Sequence, residues 1–247
     1  MLAALKEQIR LLPLRVKRQL HHRARRSMRW VQSPAAVRGA SDPCSYDALI
    51  AEIRAAGTNS LRHFRNGYAH EGGLRLQQNP FEFASLISFL KRRGTIRRYF
   101  EIGSASGGAS RFMAERLHFG EFTSMDDGQH PDAHLQKVNF AGVVNFRQFL
   151  GDSHSSAAKT FMKTAFPAND IDVAFIDGDH SAEGVTQDLE LVLPYCRSGA
   201  WVVFHDTVAC DGVECAWLKA IESGCLIPVA EFIGGSVPLG IAIGAVR

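Results

Sequence analysis

Long apolar runs are missing from this 247-residue chain. No stretch approaches the roughly 20 residues that a membrane-crossing helix needs, so no transmembrane segment is expected. Cysteine is scarce. The five present, Cys44, Cys196, Cys210, Cys215 and Cys225, are odd in number and form no CxxC pair. That argues against a disulfide framework and against a structural zinc site, and it fits a reducing compartment. The first residues lack the apolar core of a secretory leader, so a cytoplasmic location is expected. Internal repeats and low-complexity runs are absent as well. What remains suits one large α/β domain behind an N-terminal extension, with length enough to bury a substantial core.

Acidic residues are nearly missing from the first thirty positions. Nine basic residues (Lys6, Arg10, Arg15, Lys17, Arg18, Arg23, Arg25, Arg26, Arg29) stand there against Glu7 alone. The segment therefore carries +8 of a chain whose total is +3, and the remainder carries −5. Leu2, Leu5, Ile9, Leu12, Leu14, Val16 and Leu20 are interleaved with these charges, and Pro13 breaks or kinks any helix there. Such a segment suits an anionic membrane surface, reached from the inner face, or acidic sugar polymers. A solvated basic tail is the plainer alternative. A nucleic-acid arm is disfavoured, because Trp30 is the segment's only aromatic.

Ser33, Pro34, Gly39, Ser41 and Pro43 punctuate the next stretch, which reads as linker. This divides the chain into an extension with linker, 1–43, and a domain, 44–247, whose first part, 44–98, is helical and lid-like. YDALIAEIRAAG predicts an amphipathic helix stopped at Gly57, and FEFASLISFLKRRG one stopped at Gly94. Between them NGYAHEGGLRLQQNP predicts an irregular loop able to cover a ligand. From there on strands alternate with helices. Strands are expected at 122–126, 143–150, 173–177, 201–206 and within 225–246, with SAEGVTQDLELVLPYC and VECAWLKAIESG as helices. That alternation implies a mostly parallel sheet covered on both faces, with ligands at the carboxyl ends of its strands. The final GGSVPLGIAIGAV is read as a buried terminal strand pair, or else as a contact between copies of the chain in a homo-oligomer.

The most informative stretch is YFEIGSASGGAS, 99–110: an apolar run, an acid, then three glycines within six positions. Gly103, Gly107 and Gly108 allow a tight turn between strand and helix, with Ser104 inside it. A purely structural turn is one reading, and a nucleotide-type site the other. The dinucleotide fingerprint matches only in part, because Ala105 stands at its second glycine. Glu101 is awkward beside a pyrophosphate but suits a ligand carrying an ammonium and a sulfonium, which points to S-adenosylmethionine. Asp126 closes the next strand, where a carboxylate can accept both ribose hydroxyls. Asp127 could substitute for it, or the pair could simply form a turn. Asp152 and Ser153, in FLGDSHS, could meet the adenine amino group or cap a helix.

IDVAFIDGDHSAEG and AWVVFHDTV end apolar strands on Asp177 and Asp206. On neighbouring strands their tips stand about 5 Å apart. Two carboxylates that close raise one another's proton affinity unless a cation sits between them, and Mg²⁺ would serve. His205 is a third candidate ligand, although imidazole suits Mn²⁺, Fe²⁺ or Zn²⁺ better. His180 could accept a proton from a hydroxyl near neutral pH, or be an ordinary hydrogen-bonding loop residue. Asp172 and Asp179 look like surface or turn acids.

EIGSASGG, FIDGDHSAEGV, DLELVLP and VVFHDT, with QQNPFEF (Gln78, Pro80, Glu82) ahead of the first strand, resemble one bacterial group of class I S-adenosylmethionine-dependent methyltransferases. That group includes macrolide-sugar and aminocoumarin O-methyltransferases and cephalosporin hydroxylase-like proteins, and the likeness covers 77–247. It implies a Rossmann-like, doubly wound, mostly parallel α/β sheet. It also implies that Glu101 and Gly103 hold the methionine part of the donor, Asp126 its ribose, and Asp152 or Ser153 the adenine surroundings. Asp177 and Asp206 fall on the group's first and last metal aspartates, and His180 on a proposed general base. His205 stands where the metal-dependent members carry Asp or Glu, so the ion is absent, weaker or different here. The expected activity is O-methylation of a sugar, glycolipid or other small hydroxylated acceptor, with Asp177 and His180 catalytic and a divalent metal assisting. A nucleic-acid methyltransferase is disfavoured, since the strand tip reads IDGDH rather than a proline-rich sequence. A hydroxylase-like iron enzyme and a domain that only binds cofactor or glycan are the remaining alternatives.

Overall fold

The computed structural model describes residues 31–40, 42–57, 73–235 and 238–247; the basic extension, 1–30, and the first part, 66–72, of the loop expected to cover a ligand lie outside the described residues. The elements run β1 (Val31–Gln32), α1 (Pro34–Ala40), α2 (Pro43–Ala55), α3 (Pro80–Arg93), β2 (Ile96–Ile102), α4 (Gly108–Ala114), β3 (Phe119–Asp126), α5 (Gln136–Asn139) and β4 (Phe146–Leu150). They continue with α6 (Ser156–Ala165), β5 (Ile171–Ile176), α7 (Ala182–Val192), β6 (Cys196–His205), α8 (Asp211–Glu222), β7 (Leu226–Phe232) and β8 (Ile241–Val246). One eight-stranded sheet has the order β1-β7-β8-β6-β5-β2-β3-β4, and every pairing is parallel except the two that β8 makes. This is the α/β, Rossmann-like, mostly parallel sheet expected from the alternating pattern.

Burial explains the central strands. All six residues of β5, IDVAFI, are buried, as a strand covered on both faces requires. Alternate side chains feed two cores. Tyr99, Val173 and Phe175 join Val37, Ile53, Phe83 and Phe112 on one face, while Phe100, Ala174 and Ile176 join Met162, Leu189 and Trp217 on the other. Helix starts are encoded locally. The Asn79 side chain caps α3 by accepting from the amides of Phe81 and Glu82, and Ser181 caps α7 by accepting from Gly184. Gly94 stops α3 with φ 87°.

The linker reading of 31–43 is corrected. β1 pairs with β7 at the sheet edge, and α1 buries Val37 completely in the core that α3 also lines. The punctuation there is helix-start chemistry. The amide of Ala36 donates to Ser33 Oγ, Asp42 caps α2, and each proline opens its helix at a position whose amide has no partner to lose. The strand expected from 143 begins only at Phe146, because Asn145 takes a left-handed φ of 55°. Asp172 is no surface acid. It is 2% exposed, accepts from the amides of Arg97 and Arg98 and from Arg197 Nε, and ties β5 to the start of β2. The terminal stretch does form a strand pair, with β8 inserted between β7 and β6. Among the described residues, no helix is long and apolar enough to cross a membrane.

Candidate active site

The turn after β2 is shaped by glycine at one critical place. Gly103 has φ 85°, and a Cβ there would lie 2.1 Å from the carbonyl oxygen of Asp177, so the ends of β2 and β5 touch backbone to backbone. Ala105 adopts φ 48° in the same turn, a left-handed conformation without glycine's freedom. Gly107 (φ 74°) opens α4. Asp126 fastens this turn from the end of β3. Its carboxylate accepts from the amides of Ser104 (2.7 Å), Ala105 (3.1 Å) and Gly128 (2.8 Å). Glu101, 2% exposed, is ringed by hydroxyls: Ser110 and Ser104 donate to Oε1 at 2.7 and 2.8 Å, and Tyr99 to Oε2 at 3.3 Å. Burial pushes its carboxyl up to about 7 against the pull of the Ser110 and Ser104 hydroxyls, and the nearby Asp126 charge adds to the rise.

These residues border a cavity of about 580 Å³ at the carboxyl ends of the strands, within the usual range for a small-molecule site. Asp127, Asp152 and Ser153 line the same cavity. Neither Asp152 nor Ser153 is the N-cap of α6, which is Ser155. Asp152 accepts from the His154 amide, and Ser153 Oγ donates to Asp188 Oδ1 at 2.7 Å. Asp188 was not singled out by the sequence reading. It is fully buried on α7, and His154 Nε2 also lies 3.1 Å from the same oxygen, so it fixes two residues of the cavity wall. An acid among Val185, Leu189 and Val192 on the apolar face of a helix was the available signal. The strap at 73–79 belongs to the loop expected to cover a ligand, although Arg75 and Gln77 were not singled out. Arg75 pairs with buried Asp132, and Gln77 Nε2 lies 3.3 Å from His130 Nε2, holding that backbone at the cavity mouth.

At the other side of the cavity, β5 and β6 are neighbours with Ile176 opposite Phe204, which brings Asp177, His180, His205 and Asp206 together. His205 Nδ1 lies 3.0 Å from Asp177 Oδ1 and 3.4 Å from Asp206 Oδ1. His180 Nε2 lies 3.5 Å from Asp206 Oδ2 and 3.7 Å from Asp177 Oδ1. Asp206 takes φ 62°, a left-handed conformation that turns the chain at this corner. The hydrogen bond to Asp177, then that to Cys210, lifts His180 to about 11. Burial opposes the charged form of His205, yet the Asp177 and Asp206 carboxylates outweigh it and raise this imidazole to about 9. Asp177 is held below the usual carboxylate range by His205 and His180 despite its burial, whereas burial raises Asp206.

Two consequences follow for the expected roles. The repulsion assigned to a bridging metal is answered here by two imidazolium groups. The carboxylates around His180 favour its protonated form, which donates rather than accepts a hydrogen bond. The metal set Asp177, His205 and Asp206 does bring its donor atoms within 4.8 Å of one another. However, the His205 nitrogen that faces the carboxylates is bonded to Asp177, and its other nitrogen, Nε2, is buried without a hydrogen bond among the described residues. His205 therefore offers no lone pair to an ion between the two aspartates, and the trio does not fit a hard divalent cation as three ligands.

Residues 100–207 match the family model described as a methyltransferase domain, a span that runs from the glycine turn to the His205–Asp206 corner. This stretch is similar to a methyltransferase domain, a likeness that implies S-adenosylmethionine as its cofactor. The residues present fit that cofactor: a cavity of sufficient volume, a glycine turn, and a buried carboxylate, Glu101, with no cationic partner among the described residues. An uncharacterized protein of Acanthamoeba polyphaga mimivirus is 28% identical over 116 residues, covering 44% of this chain and 50% of that protein. The chain thus spans about half the length of that relative. The fold is similar to an O-methyltransferase from Bacillus cereus in complex with S-adenosylhomocysteine (TM-score 0.55, 15% identity, 82% of this chain and 91% of that one). It is equally similar to the O-methyltransferase TomG from Streptomyces achromogenes, involved in tomaymycin synthesis and bound to S-adenosylmethionine (TM-score 0.55, 16% identity, 81% and 96%).

Proposed function

We propose that the protein moves the methyl group of S-adenosylmethionine to a hydroxyl oxygen of a small-molecule or glycan acceptor, a sugar or glycolipid hydroxyl being the favoured case. One observation carries this reading: the Asp177–His180–His205–Asp206 cluster faces the same cavity as the glycine turn and Glu101. When bound, the cofactor supplies an electrophilic methyl on a cationic sulfur, so the protein has chiefly to orient the acceptor and take its proton. Glu101, itself 2% exposed, answers the ligand's ammonium charge. Asp126 keeps lone pairs for ribose hydroxyls beside its three amides. His180, half exposed and protonated, donates to the acceptor and holds it at the corner. Asp206 takes the proton: its Oδ1 has no hydrogen bond among the described residues, and burial raises its proton affinity. Asp177 and His205 hold Asp206 and His180 in place. One bond forms between the acceptor oxygen and the methyl carbon and one breaks between that carbon and sulfur; the electron pair goes to sulfur and the hydroxyl proton to Asp206. No step here runs through a metal ion.

The basic first thirty residues fit an acceptor presented on an anionic surface. The test pairs calorimetry with transfer. The protein is titrated with S-adenosylmethionine and with NADH, and methyl-labelled donor is then incubated with extracted glycans and glycolipids. Donor affinity without NADH affinity, and label stable as an ether, is expected. NADH binding without donor binding refutes the cofactor, and donor binding with no transfer to any hydroxylated fraction refutes the reaction.

A further inference from the structure

Cys210 stands four residues past Asp206, at the start of α8, and the methyltransfer reading gives it no task. Its amide donates to the Asp206 carbonyl at 2.9 Å, an α-turn that places the side chains of both residues on one side of the chain. A glycine brings the third member in. A Cβ on Gly212 would lie 2.3 Å from the carbonyl oxygen of His180, so the first turn of α8 rests directly on the His180 backbone. One ligand atom each from His180, Asp206 and Cys210 falls within 4.8 Å of the others.

We propose that His180, Asp206 and Cys210 form a binding site for a borderline-soft divalent cation, Zn²⁺ above all, at the rim of the cavity. The donor set decides the metal. One imidazole, one thiolate and one carboxylate suit Zn²⁺ and Co²⁺, whereas Mg²⁺ prefers oxygen throughout. Geometry separates this set from the Asp177, His205 and Asp206 trio. His205 is 3% exposed and bonded to Asp177 at 3.0 Å, whereas the His180 side chain is 46% exposed and its Nε2 has no carboxylate closer than 3.5 Å. His180 is thus accessible and able to swing toward Cys210. Asp206 presents Oδ2 to His180, 3.5 Å from its Nε2. The carboxylates that favour a proton on His180 act on a divalent ion with twice the charge. Three protein ligands leave a fourth position for water.

Bound there, zinc occupies the proton-accepting carboxylate and the acceptor-holding imidazole together, so it blocks methyl transfer. This last clause rests on the function proposed above; the site itself does not. The test therefore reads the metal directly. Chelator-treated, full-length protein is titrated with Co²⁺ and followed for the near-ultraviolet sulfur-to-cobalt charge-transfer band. One equivalent of Co²⁺ is expected to generate the band, one equivalent of Zn²⁺ to remove it, and millimolar Mg²⁺ to leave it unchanged. Cys210→Ser is expected to lose the band and His180→Ala to weaken Co²⁺ binding by at least the roughly tenfold typical of a disturbed metal shell. Absence of the band in the unsubstituted protein, its persistence in Cys210→Ser, or its loss to Mg²⁺ overturns the proposal. Zinc binding without inhibition of transfer leaves the site standing and removes the roles given to Asp206 and His180.

Discussion

Donor affinity should depend on pH through Glu101. Its carboxyl sits at about 7 in the ligand-free fold because burial outweighs the Ser110 and Ser104 hydroxyls. An arriving ammonium group favours the ionised form, so binding below about pH 7 must first expel one proton. The limiting dependence is tenfold per pH unit, which makes the donor dissociation constant at pH 5.5 about 30-fold larger than at pH 8, or about 2 kcal/mol. His180 and His205, raised to about 11 and 9, do not titrate in this window. Calorimetry in buffers of different ionisation enthalpy counts the proton released, close to one at pH 5.5 and close to zero at pH 8. Glu101→Gln preserves an acceptor for Ser104 and Ser110 and should flatten the dependence while weakening binding at pH 8. A flat profile in the unsubstituted protein, or an unchanged slope in Glu101→Gln, refutes the assignment of Glu101 to the cationic end of the ligand.

Asp126→Ala leaves the amides of Ser104, Ala105 and Gly128 without their acceptor. A cost of about 2–3 kcal/mol is expected, read by calorimetry as a Tm lower by roughly 4–12 °C, with donor affinity reduced at least tenfold. Asp206→Asn keeps a side chain that tolerates φ 62°, so the fold should persist. Its kcat should fall by about 10²–10⁴ in steady-state assays while the donor dissociation constant stays within about threefold. Deleting 1–30 should abolish binding to anionic vesicles and leave the Tm unchanged, because β1 and α1 remain; retained vesicle binding would show that the basic segment is not the contact.

The strand ends were legible in the sequence because each strand tip pairs an apolar run with an acid. Asp126, Asp177 and Asp206 therefore declared themselves. So did the turn at Gly103, where three glycines within six positions follow an apolar run. Less could be read of what those residues do to one another. Nothing in IDGDH and FHD says that His180 comes to lie near both aspartates, and that proximity is what favours the proton on its ring. Asp188 and Arg75 reach the cavity from segments whose local pattern describes only a helix and a loop. In 31–43, Ser-Pro and Asp-Pro begin helices as readily as they mark linkers, and burial of Val37 decided between them.

The short strand β1 also sets an address for what precedes it. Val31 stands opposite Glu231 and Gln32 opposite Phe232, at the carboxyl end of β7, so the chain enters the sheet at the level of the cavity rather than at its far end. Three strand spacings, about 14 Å, separate that entry point from β6 and its terminal His205. If the thirty residues upstream bind a lipid or polysaccharide surface, as proposed above, the point where the chain leaves that surface for the sheet lies level with the cavity rim.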